Sequence, residues 1–344
     1  MIHIIAKELE TRSFFLENKK VDTIYYGGGT PSLLHYEELR SLKNAIFDNY
    51  DVSEKAEITF ESNPDDISEE NLEMWKEVGI NRMSIGIQSF KKKDLKWMNR
   101  AHNVTEALEC IELVQNAGIK NISADLIYGL PELSLKEWKE QLKQLVALDI
   151  PHISAYCLTI EQNTAVHNWV RKGSFKLQTQ EQQSLQFMGL IEVLEGHGYT
   201  HYEISNFGKE GFASRHNSNY WRGEWYLGVG PSAHSYNGSS RIWNVSNNRK
   251  YMDANNKGEE FFTTEKLSIQ DKFNEKLLVG LRTNYGVNLQ ELNEIAKLTE
   301  NFVTQYEFHI ENGWAELNGD NLLLTIEGKL RADYIASDLF MEEV

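Results

Sequence analysis

Five short β-like runs recur between residues 21 and 158, each followed by a turn and then by an amphipathic helical stretch. They are VDTIYY (21–26), AEITFES (56–62), NRMSIGI (81–87), KNISADLIY (120–128) and PHISAYCL (151–158). A strand–helix alternation of this spacing predicts parallel strands joined by crossover helices, hence an α/β barrel or a doubly wound sheet. The helical stretches carry their own punctuation. Ser68 is an N-cap with Gly79 just past the helix end, Gly118 closes NVTEALECIELVQNAG, and Ser134-x-x-Glu137 is a capping box. An abrupt helix opens the chain, with no strand before it, and is expected over 4–19.

The turns after the strands are GGGTPS, NPDD, QSF and GLP. They fall at C-terminal strand ends, where α/β sheets and barrels place their sites. Three bare glycines, Gly27 to Gly29, let a ligand approach the backbone, or else only allow a tight strand-to-helix turn with Pro31 opening the helix. The spacing is not G-x-G-x-x-G, which excludes the dinucleotide fingerprint. Asp125 lies within an apolar strand, where an unpaired carboxylate is costly, so a fixed partner is expected; a purely structural role would make that partner an arginine such as Arg82 or Arg100.

Charge and cysteine usage narrow the function. The 35 Lys and Arg stand against 51 Asp and Glu, a net charge of −16, which disfavours nucleic acid or an anionic membrane as partner. No run approaches the ~20 apolar residues of a membrane span and no signal peptide opens the chain. Two cysteines, Cys110 and Cys157, are too few for a disulfide framework, which predicts a reducing cytoplasm. Both read as buried small hydrophobes.

Past a polar helical stretch over 162–196 the composition changes. In 199–251, eleven of 53 residues are Phe, Trp or Tyr, about twice the chain's 11%, with His201, His216 and His234 interleaved. From about 265 two helices (IQDKFNEKLLVGLR, NLQELNEIAKL) precede a hairpin and a last helix, as in a winged-helix-like module. The expected division is therefore 1–198, 199–262 and 263–344.

Taken in order, GGGTPS, ESNP, RMSIGIQSF, DLIYGLP, YEISNFG and GVGPSAHS resemble the radical S-adenosylmethionine proteins related to oxygen-independent coproporphyrinogen III oxidase. The resemblance covers nearly the whole chain. It implies an α/β fold, a partial (β/α)6 barrel lacking its first strand, with a C-terminal α+β winged-helix-like domain. By the same resemblance Gly28, Gly29 and Thr30 hold the methionine end of S-adenosylmethionine and Glu61 is a further contact. Gln88, Arg100, Asp125 and Thr159 line the nucleoside or second-ligand site.

RHNSNYW, from Arg215 to Trp221, resembles the haem-binding signature of the family's haem chaperones. It implies His216 as ligand to haem iron, with Asn217, Tyr220 and Trp221 forming the pocket; His234 is expected to be structural or close to the cofactor. The implied activity is haem binding and delivery to apo-haemoproteins, respiratory-chain proteins among them, with no catalytic residue assigned. Two other readings stand beside it: the oxidase itself, and a non-catalytic S-adenosylmethionine-binding protein. The family's [4Fe–4S] cluster is held by a C-x3-C-x2-C loop. No such motif occurs here, so no iron–sulfur ligands are expected in this chain. Either the sequence begins past the first strand, the preferred expectation, or the lineage has lost the cluster.

Overall fold

The structure, a computed structural model, describes residues 1–17, 19–160, 167, 170 and 175–342. Its main sheet contains β1 (Val21–Tyr26), β2 (Val52–Ser62), β3 (Arg82–Gln88), β4 (Asn121–Tyr128), β5 (His152–Cys157), β6 (Thr200–Glu203) and β7 (Asn206–Gly208). The order is β1-β2-β3-β4-β5-β7-β6, parallel from β2 through β5 and antiparallel where β7 joins β5. The β6–β7 hairpin is YEISNFG, which extends the sheet from a region whose sequence reads chiefly as aromatic-rich.

Two compact units emerge, neither continuous in sequence. One comprises Tyr25–Leu33 and Ile58–Ser214; the other comprises Met1–Ile24, Leu34–Glu57 and Arg215–Val344.

In the first unit the strands alternate. Phe60, Met83, Ile85, Ile87, Ile122, Leu126 and Ile153 are fully buried on one face. Helices supply the other half of that core: Trp75, on the helix Glu69–Glu77, meets Phe60 at 4.9 Å, and Trp138, on the helix Leu135–Ala147, meets Tyr128 at 5.7 Å. Each such side chain contributes on the order of 1.5–3 kcal/mol by leaving water. The opposite face carries Thr59, Glu61, Arg82, Ser84, Ser123, Asp125, His152 and Ser154. Register fixes this grouping, because Glu61 pairs with Ser84, Ser84 with Ser123, Ser123 with His152 and Asp125 with Ser154. Parallel sheets are commonly apolar on both faces. A polar face here needs partners for its side chains.

Local punctuation follows the sequence. Ser68 accepts from Asn71 N, Gly79 and Gly118 take left-handed φ values of 98° and 84°, and Ser134 caps its helix with Glu137. Elsewhere the boundaries move. The first helix spans Ile2–Thr11 rather than 4–19, tightening into a 3-10 turn at Ser13–Leu16 and ending at Glu17 with φ 49°. Pro31 opens a short 3-10 turn and the helix proper starts at Tyr36. Of the helical stretch expected over 162–196, Gln180–Glu195 is a helix; residues 162–166, 168–169 and 171–174 lie outside the described residues.

The C-terminal part of the second unit contains helices Ile269–Gly280, Leu289–Ile295 and Glu300–Glu311 and ends, past a hairpin, in helices Ile326–Lys329 and Ala332–Asp338. A three-stranded antiparallel sheet accompanies them, with Asn321–Leu324 between Val287–Asn288 and Ala315–Asn318. The module is winged-helix-like, with two more helices, Glu300–Glu311 and the four-residue Ile326–Lys329, than its sequence suggests. The same unit buries Glu8 completely. Its carboxylate accepts from Arg12 (2.9 Å), Asn244 (2.8 Å), Tyr251 (2.5 Å) and the Gly230 amide (2.9 Å). A buried charge is tolerated when its lone pairs are all matched in this way. Gly230, in GVGPSAHS, is one of those partners.

Candidate functional site

Glu61 organises the glycine turn. Its carboxylate accepts from the Tyr25 hydroxyl at 2.6 Å and from the Gly28 amide at 3.3 Å. Burial, reinforced by Glu61 itself, holds the Tyr25 phenol far above its ordinary range, so it remains a donor. Gly27 is required for this approach: a Cβ there would lie 2.4 Å from the Tyr25 ring and 2.8 Å from the Glu61 carboxyl. Gly28, at φ 79°, and Gly29 have nothing within 4 Å of a Cβ position, and Thr30 beside them is exposed. The turn therefore presents a carboxylate, backbone amides and backbone carbonyls on an open glycine edge. That donor set fits the ammonium and carboxylate of an amino acid.

Three loops are then tied together. Ser32, from GGGTPS, donates to Asp66 at 2.6 Å; Asn63 donates to the same carboxylate at 3.2 Å and accepts from Arg100 at 2.7 Å. Arg100 also reaches the Gly86 carbonyl at 3.3 Å. A Cβ on Gly86 would stand 2.9 Å from Gln88 Nε2 and 3.2 Å from Arg100 Nη2, so the bare residue lets those side chains cross the strand end together. Gln88 has φ 65°, a conformation that costs a non-glycine residue on the order of 1–3 kcal/mol and clusters at functional sites.

Deeper on the polar face, Ser84 donates to Asp125 at 3.3 Å. Among the described residues no arginine pairs directly with Asp125: Arg100 is engaged with Asn63, and Arg82 acts on Asp125 through its charge. The partner expected for this carboxylate is thus supplied by serine hydroxyls, not by the arginine pair of a purely structural role. Burial pushes the Asp125 carboxyl up to about 7, against the opposing pull of Arg82, Ser154 and Ser84 and with the help of Glu61. His152 Nδ1 lies 2.7 Å from Ser123 Oγ, and its Nε2 lies 2.7 Å from the Tyr202 hydroxyl. Burial, with Arg82 nearby, keeps it well below the usual histidine range and hence neutral. Ser154 donates to Asn206 at 2.7 Å, and Asn206 to Glu203, which explains the polar letters of YEISNFG.

The residues expected to hold S-adenosylmethionine are thus distributed. Gly28 and Glu61 are in contact, Gln88 and Arg100 converge, and Asp125 shares a face with Glu61. Thr159 sits exposed past β5, its hydroxyl on the Cys157 carbonyl at 3.3 Å. Tyr25, Asn63, Arg82 and His152 are additions that the sequence does not single out as site residues. For Tyr25 a signal exists: it lies two residues before Gly27 and shares the strand period with Thr23.

In the other unit RHNSNYW forms the helix Arg215–Arg222. The Glu57 carboxylate accepts both leading amides, Arg215 N at 3.2 Å and His216 N at 3.0 Å, which satisfies orphan donors of the first turn. His216 Nδ1 lies 3.0 Å from Thr23 Oγ1 and Nε2 lies 3.1 Å from the Tyr220 hydroxyl. Tyr220, one turn on, stands edge-on to the imidazole and is 39% exposed. Although part of the ring is exposed, its partial burial, with Tyr226 beside it, pushes the phenol up to about 12. Asn217 and Trp221 are displaced about 100° around the helix, with the Arg282 guanidinium 5.9 Å from the Trp221 ring. An imidazole flanked by exposed aromatic surface fits a porphyrin with an iron ligand. His234 is exposed on a strand of this unit, His234–Tyr236.

Neither cysteine fits an iron–sulfur cluster. Cys110 is buried in the helix Val104–Asn116, where burial pushes its thiol up to about 12, and burial also raises Cys157 at the end of β5. Among the described residues no three His, Cys, Asp or Glu side chains are grouped to hold a metal, and no helix is long and apolar enough to cross a membrane.

Residues 5–145 match the Radical SAM superfamily. The haem chaperone HemW of Bacillus subtilis is 35% identical over 90% of this chain and 82% of its own length. HemW of Haemophilus influenzae is 32% identical over 100% and 89%, respectively. Among solved structures, coproporphyrinogen III oxidase (HemN) from Escherichia coli, a radical SAM enzyme, superposes with a TM-score of 0.83 at 19% identity. That match covers 98% of this chain and 82% of the oxidase, and it shows a shared fold.

Proposed function

Because the chain belongs to the HemW haem-chaperone family of the radical S-adenosylmethionine superfamily, we propose that it binds haem and S-adenosylmethionine and delivers haem to apo-haemoproteins. Haem is the cargo, held through His216 with Tyr220, Asn217 and Trp221 around it. The observation that carries this reading is the helix Arg215–Arg222. It presents His216 with Nδ1 held by Thr23 and Nε2 on the side of the exposed Tyr220, on a first turn fixed by Glu57.

S-adenosylmethionine, when bound, supplies a sulfonium and an amino-acid end. Glu61 would hold the ammonium, the Gly28–Thr30 backbone would lie along the methionine end, and Gln88, Arg100 and Asp125 would line the remainder. Tyr25 orients Glu61, and the Ser32–Asp66–Asn63–Arg100 chain keeps the loops in register. No step is assigned to an iron–sulfur cluster, for which the described residues offer no ligand set. A cytoplasmic location accords with the cysteine usage, and the recipients are apo-haemoproteins, respiratory-chain proteins among them.

Titration with ferric haem, followed by absorbance, tests the cargo site. Wild type is expected to saturate with one axial imidazole and His216→Ala to lose that spectrum; identical spectra would remove His216 as the ligand. Calorimetry with S-adenosylmethionine is expected to show Glu61→Gln at least about tenfold weaker, roughly 1.4 kcal/mol. Turnover of coproporphyrinogen would instead favour the oxidase, which otherwise shares only its fold with this chain.

A further inference from the structure

We propose that Thr23 and Tyr220 determine how His216 meets iron: Thr23 fixes the ring through Nδ1, and the Tyr220 hydroxyl covers Nε2 until haem displaces it. This rests on His216 being the ligand. A neutral imidazole offers one N–H donor and one lone pair, and only the lone pair can bind iron. Here the two ring nitrogens have partners of different kinds. Thr23 lies on β1, 193 residues away in sequence, at 3.0 Å from Nδ1. Tyr220 belongs to the same helix as His216, at 3.1 Å from Nε2, and is exposed. Iron therefore approaches from the Tyr220 side. A histidine ligand ordinarily donates its other N–H to a neighbouring acceptor, which sets the tautomer and makes the bound nitrogen more basic. Thr23 Oγ1 is placed to be that acceptor, leaving the lone pair on Nε2.

Glu57 decides which partner gives way. It holds the amides of Arg215 and His216 at 3.2 and 3.0 Å, so the turn that carries the imidazole is fixed. Among the described residues Tyr220 has no comparable anchor at its ring: it is edge-on to His216 at 5.1 Å and to Tyr226 at 4.7 Å, contacts between faces and edges that a side-chain rotation can leave. Haem loading is thus an exchange in which the phenol hydrogen bond to Nε2 is broken and an iron–nitrogen bond takes its place, with no net proton transfer. Thr23 and Glu57 are positioning residues that act through His216.

The test uses the full chain mixed rapidly with ferric haem. Tyr220→Phe is expected to take up haem about three- to tenfold faster, the effect of deleting one hydrogen bond, and to give the wild-type spectrum. The gain should vanish when His216→Ala is added. Thr23→Val is expected to bind haem more weakly and to raise the ferric/ferrous midpoint potential, because the ligand becomes less electron-rich; Thr23→Ser should restore both. Unchanged or slower uptake by Tyr220→Phe overturns the cover, and so does an equal gain without His216. Loss of the wild-type ferric spectrum in Tyr220→Phe makes the phenol itself the ligand. A Thr23→Val potential equal to wild type overturns the Thr23 role. Haem bound with the wild-type spectrum by His216→Ala fails the parent reading separately.

Discussion

The polar face of the main sheet and the helix Arg215–Arg222 both gather chemistry-bearing side chains, by opposite means. On the sheet, Glu61, Gln88, Arg100 and Asp125 come from three strands and a loop, brought together by the register of parallel pairing. On the helix, His216, Asn217, Tyr220 and Trp221 lie within six residues, and the 3.6-residue turn alone sets their spacing. A site set by register depends on the core behind the strands. One set by a helix depends on what anchors that helix.

The most severe way to probe the first dependence is to remove packing behind the sheet. Phe60→Ala, at a fully buried position against Trp75, is expected to lower stability by about 3–5 kcal/mol, read as a fall in the urea midpoint. A midpoint near wild type would show that the apolar face does not carry the lattice.

Next in size is a pH effect at Asp125. Its folded carboxyl sits at about 7 and its ordinary value is 3.8, so between these limits the folded chain holds the proton that the unfolded chain releases. Its stabilising contribution is complete below about pH 4 and is lost as pH rises through 7, a change of at most about 4 kcal/mol. Asp125→Asn should flatten that slope in stability measured against pH; parallel curves for the two proteins would sink the assignment.

The helix site is sharpened by smaller changes. Glu57→Ala removes the acceptor of two amides and should cost about 1–2 kcal/mol, seen as faster hydrogen exchange at Arg215 and His216 together with weaker haem binding. Exchange that stays slow would mean the turn is held by something else. Ser134→Ala, which removes the cap of the helix Leu135–Ala147, should cost about 1 kcal/mol and leave haem titration unchanged.

How much of this was legible in sequence follows the same contrast. Strand runs, caps and left-handed glycines are local, and NRMSIGI and Ser134-x-x-Glu137 announce β3 and a helix start within a few letters. The haem-type motif is likewise contiguous. Partnerships across the chain are not: nothing in RHNSNYW points to Thr23 or Glu57, and nothing around Asp125 in sequence names Ser84 as its partner. The helix expected over 4–19 stops at Thr11 because SFFL tightens to a 3-10 turn and Glu17 turns left-handed. YEISNFG reads as part of an aromatic stretch, since strands of three and four residues are too short to show an alternation.

The Glu8 cluster sets an order in time. Glu8 leaves the ribosome well before Gly230, Asn244 and Tyr251, which match its carboxylate and follow 222 to 243 residues later. At about 5–20 residues per second, that is a wait of roughly 10–50 s. The seven described strands of the main sheet all emerge before those partners do, so a nascent chain that has released residues up to about 214 can form that sheet while the helix Ile2–Thr11 remains unsealed.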